Sequence, residues 1–267
     1  MKRLTALIVV SLLASGAWAR SIGTNPFAGS NTGKGFDFTT LDVDIGNAAF
    51  ELVTQDTGFT QIVTPGRIGV TFSGSPSSSD TAEVKITGVR AYAGAQFSDS
   101  LRHWTEQIRV AGLDTVRTDS SYQYFEHAWL DTAMANPIVV FSDLTTIRNS
   151  ILDTIAIGLI SQPRAHVIFG AHERPQLDRI TFTTFSTTGT QGIRFEVRVY
   201  PNIRAAIDYT TKYYVIDYLY VRAEVGETVA DYSNMIIPAG SAIAVMARAD
   251  ADNMTGKVRM VGRRQGR

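Results

Sequence analysis

Ile193-Arg194-Phe195-Glu196-Val197-Arg198-Val199 alternates without a break between apolar and charged side chains. Successive side chains of a β-strand point to opposite faces, so this stretch predicts a strand that buries Ile193, Phe195, Val197 and Val199 and turns Arg194, Glu196 and Arg198 to water. Downstream, Tyr213 to Val225 begins apolar on both sides, with Val215, Leu219 and Val221 on one and Tyr214, Ile216, Tyr218 and Tyr220 on the other. Such a strand is either central in its sheet or covered by a partner. Upstream, residues 148–160 read RNSILDTIAIGLI, where the β-branched run and Gly158 favour a strand over a helix. A helical period shows only at Leu101, Trp104 and Ile108, after Ser98 or Ser100 as caps, which predicts one short helix before Gly112.

Composition points the same way. The 267 residues include 29 Thr and 26 aromatics, residues that suit a pleated, half-buried surface. Apolar residues at 44% against 19% charged supply enough material for a sizeable core. The 25 basic side chains cancel the 25 acidic ones, which argues against nucleic acid or anionic lipid as a partner. Cysteine is absent, excluding disulfides, thiolate zinc sites and cysteine catalysis together. The expected fold is therefore all-β: one or two jelly-roll-like antiparallel β-sandwich units with an extended N-terminal arm.

A repeat bears on the choice between one unit and two. Thr81-Ala82-Glu83-Val84-Lys85-Ile86-Thr87-Gly88 lines up with Thr255-Gly256-Lys257-Val258-Arg259-Met260-Val261-Gly262, and the preceding Pro65-Gly66-Arg67-Ile68-Gly69-Val70 resembles Pro238 to Val245. Each copy reads turn, small or apolar strand, polar turn, then a strand with charges outward. Two related β units explain this economically; one large sandwich whose hairpins share turn chemistry is the alternative. The expected organisation is a signal-like segment at 1–19, a flexible arm at 20–35, a first sandwich unit at 36–134 and a second at 135–267.

Lys2 and Arg3, the apolar stretch Leu4 to Ala14 and then Ala17-x-Ala19 follow the order of a secretory signal peptide with its cleavage motif. The stretch is shorter than the ~20 residues that span a bilayer, so no membrane span is expected in the mature chain. Left uncleaved, the same residues would pack within an assembly. Residues 20–35, rich in Gly, Ser, Asn and Thr, read as a linker or arm.

Motifs for chemistry are incomplete. Gly29-Ser30-Asn31-Thr32-Gly33-Lys34-Gly35 has three residues between Gly29 and Gly33 where a phosphate loop has four, and glycine follows the lysine. His103 with Glu106, Glu126 beside His127, and His166 with His172 are the closest approaches to ligand pairs, but no HxH, HExxH or HxD spacing occurs. Asp42-Val43-Asp44 and Asp250-Ala251-Asp252-Asn253 lack the glycine and terminal glutamate of a calcium loop. Glu106 with Glu126, or Asp131 with His127, would need folding to converge for acid–base work, and no Gly-x-Ser-x-Gly elbow is present. No catalytic residue, metal site or cofactor is expected. Two aromatic clusters remain: Tyr122, Tyr124 and Trp129 in one, Tyr214, Tyr218 and Tyr220 in the other. Rings with a polar tip suit subunit contacts and glycan stacking, while aromatics also fill the core and edge of a sandwich; these six are the candidate interface residues, with the tyrosines alternating on the long strand the better ones.

The stretch Ile236-Ile237-Pro238-Ala239-Gly240-Ser241-Ala242-Ile243-Ala244-Val245-Met246-Ala247-Arg248-Ala249 resembles the penultimate strand of β-sandwich structural proteins in tailed-phage particles. Leu152-Asp153-Thr154-Ile155-Ala156-Ile157-Gly158 resembles an earlier strand of such proteins, so the likeness covers the C-terminal half. It implies a non-enzymatic virion component, a homo-oligomer in a tail or head appendage that contacts other virion proteins. The signal-like N-terminus favours instead an exported bacterial adhesin or carbohydrate-binding protein, secreted or periplasmic after removal of residues 1–19, with a cell-surface glycan as partner. A secreted glycan hydrolase on a sandwich is a third reading.

Overall fold

The computed structural model describes residues 35–54, 62, 65–90, 102–142, 151–171, 173–185, 191–201, 212–223, 226–252 and 254–266. The signal-like segment and nearly all of the arm lie outside them. Seventeen strands and no helix occur among the described residues. Three short strands come first: β1 (Gly35–Thr39), β2 (Val43–Ile45) and β3 (Glu51–Leu52). Seven follow: β4 (Ile68–Phe72), β5 (Thr81–Arg90), β6 (Arg102–Ala111), β7 (Thr115–Arg117), β8 (Tyr122–Leu130), β9 (Ile138–Ser142) and β10 (Ile151–Ile155). The last seven are β11 (His166–Ile168), β12 (Glu173–Phe185), β13 (Gly192–Tyr200), β14 (Tyr214–Arg222), β15 (Glu227–Ile236), β16 (Ala242–Ala249) and β17 (Met254–Gly266).

The strands pair, all antiparallel, into four sheets that face each other two by two. Sheets ordered β10-β9-β4-β7 and β6-β5-β8 close over a core that includes Ile68, Val70, Val84, Ile86, Phe125 and Val140. Sheets ordered β1-β17-β12-β15 and β11-β16-β13-β14, with β2 added to β17 and β3 to β16, close over a second core. There Phe182 of β12 and Phe195 of β13 meet with ring centroids 5.0 Å apart. Ile193, Phe195, Val197 and Val199 all lie in this core, as their alternation predicts. The all-β sandwich expectation holds.

Sheet membership does not follow the expected boundary between 134 and 135. β9 and β10 hydrogen-bond within the sheet of β4, and β1–β3 pair with β17 and β16 near the chain's end. One sandwich is thus assembled from both ends of the chain, and the strands from β4 to β10 are inserted into it. Composition carries no mark of such a closure, because strands 220 residues apart pair by the same alternation as neighbours.

The helix expected before Gly112 is instead strand β6, hydrogen-bonded along its length to β5 from Thr81↔Ala111 to Arg90↔Arg102. An edge of the sheet needing a partner outweighs three apolar residues at helical spacing.

The sequence repeat has a structural counterpart. Its two copies form β4–β5 and β16–β17, and in each pair the chain passes from one sheet to the facing sheet of the same sandwich. Gly88 and Gly262, aligned in the repeat, both lie opposite a β-bulge in the neighbouring strand. In β8 the register passes from Thr87↔His127 to Gly88↔Phe125, leaving Glu126 as the extra residue. In β12 it passes from Val261↔Arg179 to Gly262↔Leu177, leaving Asp178. The bulged strand bows inward at both glycines: a Cβ on Gly88 would strike the carbonyl oxygen of Tyr124, and one on Gly262 that of Gln176 and the ring of Phe36.

Candidate functional sites

The first candidate site is the outer flank built by β14 and β15. Among the described residues β14 is hydrogen-bonded only to β13 and β15 only to β12, so each is the edge strand of its own sheet in the same sandwich. The hydroxyl of Tyr232 on β15 donates to Asp217 Oδ2 on β14 at 2.8 Å and ties the two edges together. Burial and the acceptor Asp217 both push the Tyr232 phenol well above its ordinary range. Along this flank Tyr214, Val215, Tyr218, Tyr220, Val229 and Ile236 stand exposed, Tyr218 at 53% and Ile236 at 74%. Among the described residues β14 is therefore neither central nor covered. Tyr220 donates to Asp250 Oδ2 at 2.5 Å, with the guanidinium of Arg194 5.9 Å from its ring centre. The bond to Asp250 raises the Tyr220 pKa, burial adding a smaller push. Tyr218 meets the edge of Phe50, centroids 6.4 Å apart.

The other three interface candidates are inside the molecule. Tyr122 is fully buried in the core of the inserted sandwich. Tyr124 packs with Val89 against Ile168, Tyr200, Ala242 and Met246, and Trp129 reaches the core of the enclosing sandwich. Tyr124 and Trp129 bind one half of this chain to the other, Tyr122 packs within the inserted half, and all three are buried in a single copy of the chain, which corrects the expectation for Tyr122, Tyr124 and Trp129. The bulges in β8 keep Tyr122 and Phe125 in one core while Tyr124 and Trp129 point out of it, a switch of faces that simple alternation does not contain.

The second candidate is a buried polar junction where the two sandwiches meet. The bulge residue Glu126 lies at its centre. Its Oε1 accepts from the amide of Ile168 on β11 at 2.9 Å and from Arg264 Nη2 on β17 at 2.5 Å, and its Oε2 lies 2.5 Å from His103 Nε2 on β6. Burial alone would raise the Glu126 pKa, but Arg264, His103 and the Ile168 amide outweigh it and hold the carboxyl well below the usual range. Beside it, Arg164 pairs with Asp153 of β10 at 3.1 Å, donates to the Leu152 carbonyl and lies 5.3 Å from the Phe125 ring centre. His127 stacks on Trp129 with centroids 5.8 Å apart. Burial, then the charge of Arg164, lower both His127 and His166 to about 3.

The sequence pairs His103 with Glu106 on a helix, whereas the strand sends these residues to opposite faces. Glu106 accepts from the amides of Asp119 and Ser120 instead, and His103 meets Glu126, a contact across β5 between two strands that flank it. Asp131 pairs with Lys85 at 2.5 Å, not with His127. His172 lies outside the described residues, so its pairing with His166 does too. Among the described residues no group of three or more His, Asp or Glu is placed to hold a metal ion, and no helix is long and apolar enough to cross a membrane.

No family model matches the sequence, and no curated protein matches it. Among solved structures, a chain of the infectious bursal disease virus Gx strain is 8% identical over 93% of this chain and 77% of its own, with a TM-score of 0.22. A chain of the infectious bursal disease virus VP2 subviral particle is 7% identical over 94% of this chain and 78% of its own, with a TM-score of 0.23. At these values the likeness transfers neither a detailed fold nor a role.

Proposed function

We propose that this protein is a non-enzymatic structural component of a virion that assembles with further copies of itself through the β14–β15 flank. The observation that carries this reading is the pair of neighbouring edge strands, β14 with Tyr214, Tyr218 and Tyr220 exposed on the outer face of one sheet and β15 with Val229 and Ile236 exposed on the outer face of the other. Unpaired edges with apolar side chains invite another chain, and the same apolar rings would be covered by it. A chain with no net charge offers little electrostatic resistance to packing against itself. The junction supports the non-enzymatic half of the reading, because its carboxylate and its two most buried histidines are spent on contacts within the chain.

The finer assignment, a tail or head-appendage component of a tailed phage in contact with other virion proteins, is supported by the resemblance of Ile236–Ala249 to a strand of such proteins. In this fold the stretch supplies a turn with Gly240 at φ 66° and then β16, which is buried in the middle of its sheet. The Ser241 hydroxyl closes that turn on the Pro238 carbonyl at 2.5 Å. Its role is architectural.

Light scattering on the purified chain at micromolar concentration tests the reading. The expected result is an oligomer that dissociates when Tyr218 and Val229 are both changed to Ser; a strict monomer would count decisively against it. The pattern of Met1–Ala19 favours a second reading, an exported adhesin or carbohydrate-binding protein. A native chain beginning at Arg20 together with glycan binding lost on Tyr218→Ala would establish it in place of the first.

A further inference from the structure

We propose that the outer face of the β11-β16-β13-β14 sheet carries a binding site for a carboxylated sugar, with Arg248 as the seat of the carboxylate. The site deepens the carbohydrate-binding reading, on which it rests, and stands apart from the assembly reading. In the register of β13 with its two neighbours, Arg194 lies directly opposite Arg248 of β16 and Tyr220 of β14, and Glu196 lies opposite Met246 and Tyr218. Residues directly opposite share a face, so two arginines stand side by side in one row, a placement that destabilises a sheet. The acid beside this row, Asp250, is taken up by the neighbours of Arg248: its Oδ1 lies 3.1 Å from Arg194 Nη2, and its Oδ2 accepts from Tyr220. Arg248 makes no hydrogen bond or ion pair among the described residues. Half-buried, it is held by an aromatic ring alone, with its guanidinium carbon 5.1 Å from the centre of Phe50. The same ring lies 5.6 Å from the guanidinium carbon of Arg198 and meets Tyr218 edge-on. Arg198 is closed where Arg248 is open: it is buried, lies 4.0 Å from the centre of Tyr213, and donates twice to Glu196 Oε2. Stacking on Phe50 fixes the Arg248 guanidinium without using any of its N–H groups. Its planar fork of donors, the geometry that matches a carboxylate, stays available.

The surroundings of Arg248 narrow the ligand further. Tyr218, 53% exposed, and the half-buried Phe50 present ring surface next to the guanidinium, which suits the apolar face of a sugar ring. Acceptors for hydroxyl groups lie in the same two rows. Both bonds from Arg198 go to Glu196 Oε2 and leave Oε1 unused, and Asp250 stands at the end of the Arg194 row. These two carboxylates, set among the arginines, would repel a polyanion, so the face is ill suited to nucleic acid, a sulfated chain or a run of acidic residues. A neutral sugar would leave the Arg248 fork unused, and a lone acidic side chain would leave the rings and acceptors unused. A sugar bearing one carboxylate among its hydroxyls engages all three.

The site is tested by probing the full chain on an array of glycans ending in sialic or uronic acids, their methyl esters, neutral counterparts and sulfated chains. Retention on the carboxylated termini is expected. Esterifying the same sugars, or changing Arg248→Gln, should each weaken binding about 10- to 100-fold, the range for hydrogen bonds to a charged group. Arg248→Lys, which keeps the charge but loses the fork, should retain only part of the affinity. Esterification alters the ligand and not the protein, so that comparison decides even where a variant does not fold. Equal retention of carboxylated and neutral glycans overturns the carboxylate seat and leaves carbohydrate binding standing, whereas retention of no glycan overturns both. Stronger retention of sulfated chains, or an Arg248→Gln chain that binds as the wild type does, also overturns the proposal. Loss of the oligomer in light scattering on Arg248→Gln, without glycan binding by the wild type, would assign this guanidinium to the contact between copies instead.

Discussion

β8 and β14 are both edge strands, and both carry alternating tyrosines, yet one is sealed and the other is wet. The outward side chains of β8, among them Tyr124 and Trp129, are covered by the enclosing sandwich and are 0% and 6% exposed. Those of β14 have no cover among the described residues, and Tyr218 is 53% exposed. An aromatic edge thus has one solution already displayed in this molecule, which is another sandwich laid against it. The open edge of β14 lacks only a second body to supply it, and this is why the assembly reading names another copy of the same chain.

The sharpest way to break this comparison is to truncate one tyrosine on each edge. Tyr124→Ala leaves a cavity between the sandwiches and should cost about 3–5 kcal/mol in urea unfolding, the range for large aromatic side chains in cores. Tyr218→Ala should change the stability of the monomer by less than about 0.5 kcal/mol, as surface substitutions do, while weakening association. Equal losses of monomer stability at the two positions would erase the distinction.

What the sequence discloses of these edges is uneven. Alternation identifies β13 and the buried faces of β5, because a strand's two faces depend only on local spacing. It cannot say which body covers a face. Tyr122, Tyr124 and Trp129 therefore look like interface residues in the sequence although the partner is the chain's own remainder. The junction was hidden for a related reason. Glu126 departs from alternation as a bulge residue, and its partners His103, Ile168 and Arg264 come from three separate strands. The signal that was readable is the repeat: Gly88 and Gly262 align in it, and each marks a bulge bearing an acid, Glu126 in β8 and Asp178 in β12. Both acids then face an arginine of β17, Glu126 with Arg264 and Asp178 with Arg263 at 3.4 Å.

That pairing of bulges gives a second, smaller test. Gly88→Ala and Gly262→Ala each force a Cβ into the backbone of the bulged neighbour and should cost about 1–3 kcal/mol, the range for overpacking a well-filled site. The closeness of the two losses is the informative quantity. If Gly262→Ala were tolerated while Gly88→Ala was not, the bulges would not be structural equivalents, and the repeat would reduce to shared turn chemistry.

The smallest effect expected lies on the open flank and concerns charge state more than stability. Tyr220 titrates above its ordinary pKa of 10.0 chiefly because its hydroxyl donates to Asp250, so the protonated phenol is the form the site holds. Asp250→Asn removes the acceptor's charge and should move the Tyr220 titration back toward 10.0, read from phenolate absorbance against a Tyr220→Phe control. Stability at neutral pH should change little, because Tyr220 is 42% exposed and the bond lies in water's reach. In an assembled oligomer the same shift should grow, since a neighbouring copy laid over β14 would exclude water from the bond and make the phenolate costlier still. A Tyr220 titration that is identical in monomer and oligomer would place the contact between copies elsewhere on the surface, leaving β14 as an edge that stays open.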